Sequence, residues 1–424
     1  MKKALMSSSA IVLAAAVAAP ANAAEVELGL GGFVESWIGY GSTDIDGAAA
    51  TFDVDGVDAK FDGEVFFLPS ITLDNGIKIG ANVQLEFRAD AGGRGTSDVI
   101  DEAYVFVKGS FGELLVGDEN SAGYKMTYAA PDVSFIGINS PSTTIFVNYS
   151  GSQGGVTVGS NIFRGTLGAT FIENAGNNDA GRITYFTPRF AGFQLGASYA
   201  RDVNRDTISQ QDLDGDGVLS DVVDIGANYV NSFGGFDVAV SGRWGIASLS
   251  GSSASAATPT VSVDGGGVVT NDATGGAAPA GNTVLLQGSP ASAATAGSNP
   301  QIWGAGINLG FAGFSIGGSF AEQNDAGNAD GRSFDVGVSY RTGPWGFSVT
   351  YFNGENVDNE NAGAGADENL QQIQLAVDYD LAKGVDLNIA GGYVDLDEDL
   401  SDDGTIGGND VEGYWGGVGM RLRF

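Results

Sequence analysis

Val418-Gly-Met-Arg-Leu-Arg-Phe424, at the carboxyl end of the sequence, decides the fold. Val418, Met420, Leu422 and Phe424 alternate with glycine and arginine. Because successive side chains of a β-strand point to opposite faces, a strand with this sequence has one apolar face and one polar face. Such a strand is typical of a sheet with lipid on one side and water on the other.

Alternation of the same kind recurs along the chain. The clearest segments are 77–87, 193–199, 236–244, 334–340, 345–351, 373–381 and 385–393. A wholly apolar face in segments of about ten residues is what a lipid-facing, water-lined sheet requires. A β-sandwich shows similar alternation, so the lengths of the connections must decide between the two folds.

The connections alternate between very short and long. Turn signals divide the chain into sixteen predicted strands: 25–40, 62–73, 77–89, 98–108, 113–119, 181–188, 193–202, 222–232, 236–247, 301–311, 314–322, 332–341, 345–353, 369–381, 385–395 and 411–424. The short connections are 74–76, 110–112, 233–235, 312–313, 342–344 and 383–384. Strict alternation of short turns and long loops is typical of up-and-down barrels. The sequence predicts an all-β fold, a transmembrane 16-stranded antiparallel up-and-down β-barrel with short periplasmic turns and long external loops.

The number of strands bears on the interior. Interior width increases with strand number, and 16–18 strands enclose an aqueous channel. The residues predicted to point inward are small and polar, which suits a water-lined wall. Outward aromatic residues near strand ends suit the membrane interface; they are Tyr199, Trp303, Trp345, Tyr351, Tyr379, Tyr393 and Trp415.

The start of the chain has the pattern of a secretory signal peptide. Lys2 and Lys3 precede an apolar core at 11–19, and Ala21-Asn-Ala23 is a small-x-small cleavage site. The apolar core is much shorter than the roughly 20 residues that span a membrane. We therefore expect a signal peptide at 1–23 and a single barrel domain at 24–424.

The composition excludes several classes of protein. Without the signal peptide, 17 basic residues accompany 52 acidic ones, a net charge of −35, whereas nucleic-acid binding needs a basic face. The absence of cysteine excludes a disulfide framework. The absence of histidine removes histidine acid–base chemistry and histidine metal ligands. We expect no enzyme activity, no required cofactor and no nucleic-acid partner.

Two segments resemble a known family. Gly-Arg-Ile-Thr-Tyr-Phe-Thr-Pro-Arg-Phe-Ala-Gly-Phe-Gln-Leu-Gly-Ala-Ser-Tyr at 181–199 is similar to the strand–turn–strand that follows the constriction loop in trimeric general-diffusion porins. Phe-Gly-Glu-Leu-Leu-Val-Gly-Asp at 111–118 resembles the turn and strand that precede that loop. The final Phe424 resembles the carboxyl-terminal assembly signal of Gram-negative outer-membrane barrels. The resemblance covers nearly the whole mature chain and is closest to the alphaproteobacterial branch.

The resemblance implies a location and an assembly. It implies a Gram-negative outer-membrane protein in contact with the lipid bilayer and lipopolysaccharide. It also implies a homotrimer in which each subunit has its own pore, narrowed by the third external loop, here 119–180.

The same resemblance implies a constriction in which acids of the loop oppose bases of the wall. The loop candidates are Asp118, Glu119 and Asp132; the side chains placed in the lumen by strand parity are Arg88, Arg182, Arg243, Lys78, Arg341 and Glu86. Arg88 is the preferred wall residue. The alternative is that any of these only solvates the lumen or its rim. The loop is longer than is usual in the family, and 143–171 is a candidate for a separate hairpin.

One external loop resembles the start of a calcium-binding loop. Asp212, Asp214 and Asp216 occupy positions 1, 3 and 5 of the D-x-D-x-D-G pattern, followed by the carbonyl of Val218, with Asp221 nearby. Position 12 is Val223, which departs from the pattern. The two interpretations are a Ca²⁺ site on this external loop and an acidic loop without an ion.

The segment 248–300 is rich in Ser, Ala, Gly and Thr and has no Lys or Arg. Because this composition cannot bury a core, we expect a mobile external loop and not a separate domain.

These observations lead to a function. We expect an outer-membrane pore for passive diffusion of small hydrophilic solutes and ions, and the acidic composition predicts a cation preference. A substrate-specific channel and a structural or adhesive role for the long loops are the alternatives.

Overall fold

The computed structural model describes most of the chain. The described residues are 25–45, 55–86, 100–139, 146–147, 151–153, 156–158, 165–174, 178–203, 219–250, 260–266, 268–272, 279, 282–286, 297–326, 330–356, 368–398 and 410–424. The predicted signal peptide at 1–23 lies outside them.

The described residues form strands and one short helix. In chain order these are β1 Glu27–Ile45, β2 Gly56–Thr72, β3 Lys78–Glu86, β4 Ile100–Gly109, β5 Gly112–Asp118, α1 Ala122–Met126, β6 Gly151–Gln153, β7 Val156–Val158, β8 Gly181–Phe186, β9 Phe193–Asp202, β10 Leu219–Phe233, β11 Phe236–Leu249, β12 Thr260–Val263, β13 Val269–Asp272, β14 Thr283–Leu286, β15 Gln301–Phe311, β16 Phe314–Asn324, β17 Gly331–Thr342, β18 Trp345–Asn356, β19 Glu368–Ala382, β20 Val385–Glu398 and β21 Val411–Arg423. No helix in this part of the chain is long and apolar enough to cross a membrane.

Sixteen of these strands form a closed antiparallel barrel. Each pairs with its neighbour in the order β1–β5, β8–β11 and β15–β21, and β21 pairs back to β1. The predicted sixteen-stranded up-and-down fold is confirmed. The short turns need left-handed backbone, which Gly343 (φ +56°) and Gly384 (φ +78°) supply without strain from a side chain.

The two faces of the barrel follow the alternation of the sequence. Val418, Met420, Leu422 and Phe424 all lie on the outer surface and are about half exposed. The prediction that Trp415 points outward is wrong. Its side chain lies inside the barrel and is 5% exposed. The register explains the error, because odd-numbered residues of β21 face inward, and Trp415 stacks there on Phe146 at 6.2 Å between ring centroids.

We call the segment 119–180 the inner loop, and its described residues 119–139, 146–147 and 165–174 pack against the inside of the barrel. Between this loop and the wall lies an apolar core that includes Trp37, Ile136, Phe146, Leu167 and Phe352. This part of the interior is dry, although the sequence predicted a wall of small polar residues. Within the inner loop, β6 and β7 pair antiparallel over three residues each, inside the segment 143–171 that the sequence offered as a candidate hairpin.

The segment 248–300 contains more structure than its composition predicted. The strands β12, β13 and β14 form a three-stranded sheet in the order β13-β12-β14. Each strand has only four residues and contains valine or threonine, residues that favour strands even within a segment of low complexity.

Candidate pore constriction

The inner loop lies along the interior wall and is held there by hydrogen bonds between its backbone and polar side chains of the strands. Most of these contacts join a loop N–H or C=O to a side chain that the strand points inward. They are Ala122 N–H to Ser198 Oγ (3.1 Å), Gly123 N–H to Asp224 Oδ1 (2.6 Å), Tyr128 N–H to Ser241 Oγ (2.9 Å), Asn308 Nδ2 to the Ala129 carbonyl (2.8 Å), Ala130 N–H to Asp335 Oδ2 (2.9 Å), Val133 N–H to Ser348 Oγ (3.1 Å) and Asn388 Nδ2 to the Val133 carbonyl (2.9 Å). The loop therefore follows the wall from β9 to β20.

Glycines on the wall allow the loop backbone to approach. A Cβ atom added at Gly306 of β15 would overlap the carbonyl oxygen of Tyr128, and one added at Gly41 of β1 would overlap that of Phe146. At Gly354 of β18 the added atom would meet the carbonyls of Thr166 and Leu167. These strand positions accept no side chain while the loop is docked.

The root of the loop is fixed by a buried guanidinium. Arg243 of β11 donates to the Ile172 carbonyl (2.5 Å), to Ser121 Oγ (3.2 Å) and to Asp224 Oδ2 (2.6 Å), and Glu173 lies 3.9 Å away. The three charged side chains are 1–2% exposed. Burial raises the pKa of the Glu173 carboxyl, and the Arg182 and Arg243 charges oppose that rise. Arg243 joins the outgoing and returning limbs of the loop to the wall.

The middle of the loop is fixed by buried carboxylates. Asp335 of β17 accepts from Ala130 N–H (2.9 Å), Asn139 Nδ2 (2.7 Å) and Ser319 N–H (2.5 Å). Asp132 of the loop accepts from Ser348 Oγ (2.7 Å), Gln374 Nε2 (2.9 Å) and its own turn at Ser134 N–H (2.9 Å). Burial raises the pKa of the Asp132 carboxyl, while the Ser134 and Ser348 hydrogen bonds lower it. Each carboxylate accepts hydrogen bonds from both backbone and side-chain donors, and these bonds fix the middle of the loop to the wall.

The far end of the loop is clamped between β1 and β21. Arg421 lies over the ring of Phe135 (4.3 Å to its centroid), donates to the Phe135 carbonyl (3.4 Å) and pairs with Glu35 (2.5 Å). The ring of Phe135 also meets Trp37 edge-on, at 5.9 Å between centroids. Cation–π contact and the carbonyl bond together fix the position of this turn.

The wall opposite the part of the loop that is docked on β15 and β17 carries acidic side chains. In a ring of sixteen strands, β2, β3 and β4 lie opposite β15, β16 and β17, to which the loop is bonded. One carboxylate oxygen from each of Glu64 (β2), Glu86 (β3) and Asp101 (β4) lies within 4.8 Å of the others. Beside them, Glu102 accepts from Gln84 Nε2 (2.6 Å) and Asn120 Nδ2 (2.9 Å). We call Glu64, Glu86, Asp101 and Glu102 the acidic wall.

A sequence comparison identifies the family. The model of the Gram-negative porin family matches residues 9–399. The chain belongs to the Gram-negative porins. It is therefore an outer-membrane channel protein, and its sixteen-stranded barrel is the fold expected of one.

Solved porin structures are similar in fold. The anion-selective porin from Comamonas acidovorans is 16% identical, with a TM-score of 0.55 over 94% of this chain and 100% of that chain. The outer-membrane channel DcaP of Acinetobacter baumannii is 13% identical, with a TM-score of 0.53 over 96% of this chain and 100% of that chain. OmpT of Vibrio cholerae is 14% identical, with a TM-score of 0.50 over 96% and 100%. No curated protein matches the chain.

The loop acids predicted for the porin constriction do not face the channel. Glu119 is 1% exposed and pairs with Lys125 at 2.6 Å. Asp132 is turned into the wall by its three donors, as described above. Asp118 ends β5 on the outward side, because its neighbour Gly117 pairs with the inward Arg182. A loop segment has no periodicity that shows which side of it meets water, so the sequence could not place these side chains.

Two of the predicted wall bases are covered by the loop, and two others are exposed. Arg243 and Arg182 do point inward, as strand parity predicted, but the loop lies over them and they are 6% and 4% exposed. Arg341 pairs with Asp378 at 3.1 Å. Lys78 is exposed at the end of β3 nearest the short turn. Arg88, the preferred candidate, lies outside the described residues.

Other predicted positions have separate outcomes. Glu86 belongs to the acidic wall. The predicted calcium ligands Asp212, Asp214, Asp216 and Val218 lie outside the part of the chain that the structure describes. Asp221 lies at the start of β10, where its Oδ1 accepts from the Tyr199 hydroxyl at 2.6 Å. The backbone of Phe424 pairs with Gly32 of β1.

Sequence reasoning missed Glu64, Asp101, Glu102 and Lys125. Glu64 follows the alternation of β2, so its inward direction could have been predicted from the sequence. Asp101 was not, because the β3–β4 register shifts between Val83 and Leu85. At this bulge both Asp101 and Glu102 lie opposite Gln84, so two successive residues face the inside of the barrel.

Proposed function

We propose that this porin forms a water-filled channel for passive diffusion of small hydrophilic solutes and ions, with a preference for cations. The observation that carries the proposal is the acidic wall on β2, β3 and β4. Carboxylates on one side of a water-filled passage raise the local concentration of cations and lower that of anions. The net charge of the chain is also negative, but it is a weaker argument because many of the acidic residues lie in external loops.

The similar structures do not decide the selectivity. The Comamonas acidovorans porin is described as anion-selective, but at 16% identity the likeness concerns the fold. Selectivity depends on the charges at the narrowing. Here three of the described loop acids, Glu119, Glu173 and Asp179, are buried, and Asp132 is held by wall donors. The proposal rests on this chain's own side chains.

A bilayer measurement tests the proposal. In a potassium chloride gradient we expect large single-channel steps and a reversal potential of the cation-selective sign. The double variant Glu64→Gln/Glu86→Gln should lower the potassium-to-chloride permeability ratio by roughly three- to tenfold, since two fixed charges act across a few ångströms of water. Glu412→Gln, which removes an exposed outward carboxylate of β21, should leave the ratio unchanged.

Two results would contradict it. A wild-type potential of the anion-selective sign would remove the cation preference. Steps blocked at low concentration by a single sugar or amino acid would indicate a substrate-specific channel instead of a general one.

The remaining features of the proposal follow the family resemblance. We propose a homotrimer in contact with lipid and lipopolysaccharide, a cleaved signal peptide at 1–23 and a barrel domain at 24–424. Conductance steps that close in threes would support the trimer. Calcium at the external acidic loop 212–221 is an optional feature and not a requirement for the channel.

A further inference from the structure

In the inner loop, the acidic side chains are buried or bonded to the wall, whereas the lysine is exposed to the channel. Its described acids are Glu119, Asp132, Glu173 and Asp179; Asp132 is held by wall donors, and the other three are 1% exposed. Among the described residues of this loop, Lys125 is the one basic residue, and its side chain is 30% exposed. The charge that this part of the loop presents to the channel is therefore positive.

The position of Lys125 is set by the helix that carries it. The amides of Ala122 and Gly123 at the start of α1 bond to β9 and β10. Lys125, in the last turn, reaches away from these strands: its Nζ pairs with Glu119 (2.6 Å) and lies over the ring of Tyr104 on β4, 5.4 Å from the centroid. The ammonium group thus crosses from the loop to the strand that carries Asp101 and Glu102.

The neighbours of Lys125 are members of the acidic wall. Tyr104 and Glu102 are two residues apart and share the inward face of β4. The charge of Lys125 acts electrostatically on Glu102, and that of Glu119 acts with the opposite sign. Since Glu119 is almost fully buried and Lys125 is not, the water of the channel meets the lysine of this pair.

We propose that Lys125 is a specificity-determining residue of the channel, a tethered cation beside the acidic wall that limits the preference for cations. A permeating cation near Asp101 meets a fixed ammonium group beside the carboxylates of the wall, of which Glu102 is 8% exposed. A permeating anion meets one positive charge at the same place. The inference rests on the proposed channel function and adds a residue whose effect is opposite to that of the wall.

The test is the reversal potential of Lys125→Gln in a 0.1 M potassium chloride gradient. Glutamine can still donate to Glu119, so the helix keeps a partner. We expect the potassium-to-chloride permeability ratio to rise roughly two- to threefold, because a unit charge a few ångströms from the ion path is weakly screened at this salt. Lys125→Arg should keep the wild-type ratio.

Lys108→Gln is the matched control. Lys108 lies on the same strand, β4, and also pairs with a glutamate, Glu113, at 3.1 Å. It is four residues from Tyr104, about 13 Å along the strand, which exceeds the screening length of about 10 Å at this salt. We expect less than half of the shift seen with Lys125→Gln.

Each outcome decides the inference. An equal shift in the two variants, or no shift in Lys125→Gln, would overturn it. If Lys125→Gln fails to fold by the heat-modifiable mobility of its barrel, Lys125→Met replaces it and should raise the ratio in the same way, because it also removes the ammonium group. The wild-type sign and the Glu64→Gln/Glu86→Gln variant test the channel proposal separately, because the Lys125 shift is measured relative to wild type whatever its sign.

Discussion

Replacing Arg243 with alanine should release the root of the inner loop. The change leaves Asp224 buried without its guanidinium, removes one of the two guanidinium charges that act on Glu173, and removes the bonds to Ile172 and Ser121. Breaking a buried ion pair by removing one partner costs about 3–5 kcal/mol. We expect the loss to appear as faster amide exchange at 119–128, measured by hydrogen–deuterium exchange, and as noisier single-channel currents.

Arg332→Ala is the control for this change. Arg332 pairs with Glu355 on the outside of the barrel, where its side chain is 63% exposed. Exposed pairs contribute about 0–1 kcal/mol, so exchange in the loop should not change. Unchanged exchange in the Arg243 variant as well would show that the loop is held without its buried guanidinium.

A leucine at Gly306 should push the inner loop into the channel. The new side chain would occupy the space of the Tyr128 carbonyl on the inner face of β15. Because β15 lies opposite β2 in the ring, the part of the loop displaced from β15 moves toward the acidic wall. We expect single-channel conductance to fall roughly two- to fivefold, since conductance follows the open width of a pore.

Gly242→Leu separates this effect from a general effect of leucine in a strand. Gly242 lies on the neighbouring strand β11, and the nearest atom to an added Cβ is the Gly304 carbonyl oxygen, at 3.9 Å. Conductance of this variant should equal that of the wild type. A Gly306→Leu channel of normal conductance would mean that the loop tolerates the new side chain in place.

The barrel was predictable because its signal is periodic. Each strand repeats apolar and polar residues along its length, and a lipid-facing surface enforces that repeat more strictly than a protein core does. The alternating segments along the chain and the alternation of short turns with long loops were therefore sufficient for strand number and order. The same rule failed at Trp415, where an aromatic residue on the polar face packs under the loop instead of meeting water.

The constriction was less predictable because its geometry depends on contacts between distant segments. Strand parity placed Arg182 and Arg243 on the inner face, but only the docked loop shows that they are covered. Asp101 depends on a register shift between two strands. Lys125 belongs to a helix of five residues whose direction is set by Ser198 and Asp224, far away in the sequence.

The loop's partners also determine when the pore narrows during assembly. Val133 bonds to Asn388, and Phe135 bonds to Arg421, which follows it by 286 residues. These late strands must join the sheet before the loop has its complete set of partners, and contacts of such long sequence separation form slowly. A growing barrel that lacks β20 and β21 would hold a loosely docked loop, so the narrow passage is a property of the finished ring. Closure of the sheet and constriction of the channel are then completed in the same late step.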